Sequence, residues 1–402
     1  MDVLNLTEDA LEAKCVEWRR WFHEHPEVST EEKNTSEKIF TILKELGLDP
    51  VRGTDHYGVA ATLKGGKPGP MVALRADIDA LSVKEATGLP YASQNPGVMH
   101  ACGHDIHITT LLETILRLLR RKDEIQGSVR ILFQPSEELS PTGGARYMMK
   151  DGFLQDVKAI FGLHVWPSFV CGKIGVKAGA MMAGSDRIKV VIKGKTAHAG
   201  HPQEGIDAIM AAAEFLQQIS HIVSRRVSPL ATATINIGTI RGGSRYNVVP
   251  DEVTLEGTIR TLDEENRKRI PEFIQDILDG LKKSAGVDCE FNYYYGYPVL
   301  DNWPVPAQLV RDTARKVLGD EGLVSQVVPD LTAEDFGFYL QEIPGAFLWL
   351  GCGTEGEPIH GLHDARMCPN ENALVVGSKL MSQVVIDALA ALEQGADFSK
   401  RD

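Results

Sequence analysis

The chain has 402 residues, a formal charge of −13, 43% hydrophobic and 24% charged residues, enough for two or three ordinary domains with buried cores. The acidic balance argues against nucleic acid and anionic membranes as partners, and the six scattered cysteines (Cys15, Cys102, Cys171, Cys289, Cys352 and Cys368) read as reduced thiols and not as a disulfide framework. The opening residues lack a secretory leader pattern, and no apolar run approaches the ~18 residues of a membrane span, so a cytoplasmic location is expected.

Residues 8–25 carry apolar side chains at helical spacing up to Pro26, and Thr30–Leu46, with Gly47 behind it, reads as a second helix. Strands are predicted at Val59–Leu63 and Met71–Ala76, the latter delivering Asp77 and Asp79. The polar stretch Met99–His107 leads into an apolar helix, Ile108–Leu119. Ser128–Phe133 reads as a buried strand that delivers Gln134-Pro135-Ser136-Glu137-Glu138, and Ala159–Leu163 as another that delivers His164. Strands alternating with helices predict an α/β sheet, and ligands of such sheets bind beyond the carboxyl ends of the strands, where these polar clusters fall.

The pattern changes after Gly179. Arg187–Lys193 alternates polar and apolar residues apart from Val191, as in a half-solvated antiparallel strand. A Gly- and His-rich segment follows, Gly194–Pro202, then an Ala-rich helix from Gly205 to Arg225, strands Thr232–Ile240 and Glu252–Thr261, a helix Glu264–Ala285 and a strand Glu290–Tyr295. The order β-α-β-β-α-β is the ferredoxin-like arrangement. It predicts an α+β domain over 184–295 inserted into an α/β domain built from 1–183 and 296–402. His363 precedes a final helix, Asn372–Glu393.

Met99–His107 concentrates a thiol, three imidazoles and a carboxylate. One glycine separates Cys102 from His104, so both can reach one point, and sulfur with imidazole suits zinc, nickel, cobalt or manganese better than magnesium or calcium. No Cys-x2-4-Cys pair of a structural zinc site is present. The stretch is therefore a non-structural metal site, or else a buried thiol among ordinary histidines. Glu137 and Glu138, adjacent on a strand end, are expected to point apart.

Taken together, Arg75–Leu81, Met99–Asp105, Phe133–Glu138, Gly162–His164, Gly194–Pro202, Asn247–Pro250, Gly257–Thr261, Ala333–Phe336 and Leu362-His363 resemble, in order, segments of the M20 metallopeptidase family. The likeness is to its amidohydrolase branch of aminoacylases, hippurate hydrolases, N-acetyl-diaminopimelate deacetylases and auxin-conjugate hydrolases. The resemblance implies a zinc-peptidase-like α/β catalytic domain with an inserted ferredoxin-like lid that dimerises. It implies two divalent ions, zinc before manganese, nickel or cobalt, held by Cys102, His104, Glu138, His164 and His363, with Cys102 where relatives outside the branch carry a bridging Asp. Glu137 takes the place of the general base. His198 takes that of a lid histidine reaching a partner subunit's active site, and Asn247 and Arg260 those of residues that grip a substrate carboxylate. In the wider family an Asp at the position of Asp79 orients a ligand imidazole; for Asp77 and Asp79 a helix N-cap or turn role is the alternative. His100 and His107 are expected beside the metals and not on them.

The activity implied is hydrolysis of N-acyl amino acids by a homodimer. The alternatives are a dipeptidase or carboxypeptidase of the same family, which Cys102 and the Arg75–Leu81 form disfavour, and a metal-binding dimer without catalysis, which the intact ligand and base positions disfavour.

Overall fold

The computed structural model describes residues 6–401; the first five, on which part of the leader argument rests, lie outside them. Two compact units are present, one formed by residues up to Gly179 with 301–328 and 335 onward, the other by 180–300 with 329–334.

The first unit is built on a seven-stranded sheet in the order Val51–Arg52, Val59–Lys64, Gln126–Gln134, Lys67–Asp77, Val157–Val170, Gly345–Gly353, Ile174–Gly175. Its four central strands, from Gln126–Gln134 to Gly345–Gly353, are parallel, and the outer pairings are antiparallel. Strand Gly345–Gly353 is buried on both faces, as in a sheet covered by helices, while Gln126–Gln134 alternates until its buried carboxyl end. Helix His104–Arg120 packs on the final helix, Ala373–Glu393, and on the first, Glu8–Glu24. The close approach comes at Gly377, where a Cβ would stand 2.8 Å from Leu350 and from Thr110. The final helix is long and apolar enough to cross a membrane by composition, which the reading of apolar runs does not anticipate. However, 61% of its apolar window is buried inside the protein, as in the core helix of a globular domain.

Two helix starts differ from expectation. The second helix begins at Lys33 and not at Thr30, because the residues before it are spent elsewhere. Thr30 has φ +70° and its N–H donates to Ser136 Oγ, while Glu32 accepts from the Ser136 N–H and hydroxyl. The helix expected at Ile108 begins at His104, directly after Gly103 at φ +86°. Its polar first turn is stabilised inside the protein by Asp105, which pairs with Arg19 at 2.9 Å and with His23 at 2.8 Å.

The second unit is a four-stranded antiparallel sheet in the order Ala233–Gly242, Glu252–Thr261, Gly184–Lys193, Asp288–Tyr297. It carries helices Ala208–His221 and Glu264–Ser284, whose amino ends are capped by Asp207 and Asp263. This is the ferredoxin-like order. Ile188, Val190 and Ile192 point into its core, and Val191, the exception to the alternation, is buried on the other face. The first helix runs on as a π turn, Ile222–Arg226.

Candidate metal centre

Five donor side chains converge at the carboxyl ends of the parallel strands of the first unit. The ligand atoms of Cys102, His104 and His164 lie within 4.8 Å of one another, and so do those of Cys102, Glu138 and His363. Cys102 belongs to both trios. Its Sγ is 3.3 Å from His164 Nε2, and His363 Nε2 is 3.2 Å from Glu138 Oε1. Both separations are close to those of two ligands sharing an ion about 2.0–2.3 Å away.

Local backbone conformation produces this convergence. Gly103 is left-handed, and a Cβ there would meet the Val165 side chain at 2.4 Å, so only glycine lets the loop press onto the strand that carries His164. His363 is itself left-handed, φ +67°, and is tied down by its N–H donating to Ala101 O.

Glu137 and Glu138 are not on a strand end. The strand stops at Gln134, Ser136 turns the chain with φ +57°, and the two glutamates follow in a turn. Asp79 holds that turn: its carboxylate accepts from the N–H of Glu137 at 3.0 Å and of Glu138 at 2.9 Å. Its backbone carbonyl accepts from His104 Nδ1 at 2.8 Å, which directs Nε2 of that ring to the cluster. Of the two alternatives for Asp77 and Asp79, neither residue caps a helix among the described residues, and Asp79 takes the turn role. Asp77 accepts from Arg75 and from His107 Nδ1, each at 2.6 Å. Glu137 is buried, and its Oε1 accepts from the Asp335 N–H at 3.3 Å. Asp335 is fixed in turn by Arg75, Gln134 and the Ala145 N–H.

The electrostatics favour a cation. Burial opposes charge on the His104 ring, yet the carboxylates of Asp77 and Asp79 push its pKa up to about 10. Burial, with Glu138 and Glu137 nearby, pushes the Cys102 thiol well above its ordinary value. His104 Nε2 is buried with no hydrogen-bond partner among the described residues. The carboxylates of Asp77, Asp79 and Glu138, which favour positive charge on His104, are a concentration of negative charge that a divalent ion would neutralise. Cys102, His104, Glu138, His164 and His363 fit such ions in number and chemistry. His100 joins none of these donor clusters, and burial drives its pKa down to about 3.

The remaining expected residues lie in the second unit. His198 is exposed in a two-residue strand paired with Val248–Val249. Asn247 is adjacent, its carbonyl accepting from the Ala199 N–H, and its side-chain Oδ1 is buried without a hydrogen-bond partner among the described residues. Arg260 is half-buried on strand Glu252–Thr261; Asp186, the carboxylate that bears on its charge, is already paired with Arg267 at 2.8 Å.

Sequence reasoning missed the supporting roles of Arg75, Asp77 and Asp335, and it placed His107 beside the metals without identifying its partners. One signal was legible: His104 and His107 are three apart on a helix, so their rings share a face, and they stack with centroids 5.2 Å apart.

The family model for peptidase family M20/M25/M40 matches residues 73–387. The chain is 39% identical to an N-acetyl-L-cysteine deacetylase of Bacillus subtilis (strain 168), across 94% of this chain and 90% of that one. It is 36% identical to thermostable carboxypeptidase 1 of Saccharolobus solfataricus, across 92% and 93%. Among solved structures it is similar to the YXEP protein of Bacillus subtilis, described as a dinuclear metal-binding peptidase from the M20 family. That likeness has a TM-score of 0.84 and 34% identity and covers 95% of this chain and 99% of that one.

Proposed function

This chain belongs to peptidase family M20/M25/M40, and we propose that it hydrolyses the amide bond of N-acyl amino acids: R–CO–NH–CHR′–COO⁻ and one water give the carboxylate R–COO⁻ and the free amino acid with its α-amine protonated. The observation that carries the reading is the convergence of Cys102, His104, Glu138, His164 and His363 beside the buried carboxyl group of Glu137. The deacetylase relative supports the acyl amino acid class.

Two divalent ions on those five side chains, zinc by the softness of the donor set or else manganese, cobalt or nickel, would polarise the scissile carbonyl and lower the pKa of the attacking water from 15.7 towards about 7. Glu137 takes the proton of that water and delivers it to the departing amine, a role worth ~10²–10⁴ in rate. The Asp335 N–H donates to one of its oxygens and helps to fix the carboxylate. We assign catalysis to 1–183 with 296–402, and lid and dimerisation to 184–295. In the lid, His198 donates to the developing oxyanion of a partner subunit's substrate, and Arg260 with Asn247 receives the substrate carboxylate. A half-buried guanidinium whose neighbouring carboxylate is already paired supports that role. The cytoplasm is the proposed location.

The carboxypeptidase relative keeps a second reading in view. N-acetyl-L-cysteine and N-acetyl-L-methionine should be turned over with kcat/KM well above that for Gly-Leu or for a benzyloxycarbonyl dipeptide. The reverse order would assign the chain to peptide cleavage.

A further inference from the structure

His107 sits within the donor cluster, and with Asp77 and His104 it forms a third trio whose ligand atoms lie within 4.8 Å of one another. Both of its ring nitrogens are nevertheless committed. Nε2 is 2.9 Å from the backbone N–H of Val165, which can only donate, so Nε2 must be bare and accept. The ring proton is then on Nδ1, which donates to Asp77 Oδ1 at 2.6 Å. Asp77 is itself held by Arg75 at 2.6 Å, with no exposed surface on either side chain.

The reason Val165 needs this imidazole lies in the sheet. Strand Lys67–Asp77 flanks strand Val157–Val170 on one side, but their pairing ends at Arg75 opposite Gly162. On the other side, strand Gly345–Gly353 continues past His164 and Val165. Beyond Gly162 the chain has therefore lost its hydrogen-bonding neighbour on one edge, deep in the protein, where an unsatisfied N–H costs about 1–3 kcal/mol. His107 supplies the missing acceptor. The carbonyl of Val165 accepts from His164 Nδ1 at 2.7 Å, which sends Nε2 of that ring towards Cys102.

We propose that His107 is a positioning residue that binds no metal: as a neutral ring bridging Asp77 to the Val165 peptide, it fixes the residue whose carbonyl sets the orientation of His164. The inference rests on the assignment of His164 as a metal ligand.

The test is Co2+ binding to the full-length wild type, His107→Leu and His107→Gln, read by competition with a chromophoric chelator and alongside thermal unfolding of the metal-free proteins. The wild type should take two ions. Loss of an orienting partner typically costs 10–100-fold in affinity, so His107→Leu should weaken one ion by about that factor and leave the other unchanged. His107→Gln, whose amide oxygen can accept from the Val165 N–H, should keep most of the lost affinity. Two ions bound with wild-type affinity by His107→Leu would overturn the proposal. So would equal weakening of both ions with a matching fall in metal-free Tm, which marks a general packing role. If His107→Leu does not fold, His107→Gln decides: retention of both ions supports the role, and selective loss of one refutes it. A wild type that takes up no Co2+ would instead remove the five-ligand assignment, and this inference with it.

Discussion

Glu137 and Glu138 are chemically identical and adjacent, so what separates them is environment. Asp79 receives both of their peptide N–H groups, which fixes the turn. From it Glu138 reaches His363, and Glu137 reaches the N–H of Asp335. The sequence marks both as candidates but assigns the split to strand alternation; the structure replaces that reason with a turn at Ser136. Glu137→Gln keeps the shape and can still accept from Asp335, while it cannot carry a proton. The variant should retain its bound metal and lose about a hundredfold or more in kcat, measured by amino-acid release and by elemental analysis of the same sample. Undiminished turnover would mean that another group moves the proton.

The segment before helix Lys33–Glu45 shows how an element can be bent to serve the site. Helical spacing suggested a start at Thr30, but the chain there is pulled against Ser136, and Glu32 is buried so that its carboxyl group can receive the Ser136 N–H and hydroxyl. Local periodicity carries no information about a partner some hundred residues away, which is why this start, and the His104 start secured by Arg19 and His23, were not legible. Apolar patterning did locate three of the four parallel strands and the ferredoxin-like run, because burial dictates them; the fourth, Gly345–Gly353, was not singled out. Burial, reinforced by the charge of Asp79, raises the Glu32 pKa from 4.5 to about 7. A raised carboxyl pKa means that the folded state binds the proton more tightly than the unfolded one. Its stabilising effect is therefore complete below pH 4.5 and lost as pH climbs through 7. Between those limits, metal-free wild type should lose on the order of 3 kcal/mol relative to Glu32→Gln, measured by denaturant unfolding at several pH values. A difference that does not change with pH would show that Glu32 ionises as freely in the fold as out of it.

The five proposed ligands and Glu137 all belong to the first unit, and His198, Asn247 and Arg260 to the second. This separation was visible in the order of the motifs along the chain, since the inserted run carries its own helices and strands. What no local pattern reports is which subunit His198 serves. If it serves a partner, His198→Ala and Glu137→Gln proteins, each nearly inactive alone, should regain part of the wild-type rate when mixed and allowed to exchange subunits; no recovery would place His198 with its own chain or outside the chemistry. All of this depends on metal ions at the Cys102 cluster acting on an acylated amino acid. The direct measurement is to strip the wild-type protein with a chelator, add back Zn2+, Mn2+ or Co2+ in steps, and follow release of cysteine or methionine from its N-acetyl derivative. The account predicts no hydrolysis without ions and a rate that levels off at two ions per chain. Hydrolysis that persists in the metal-free protein, or a fully loaded protein that cleaves no N-acyl amino acid, would contradict it.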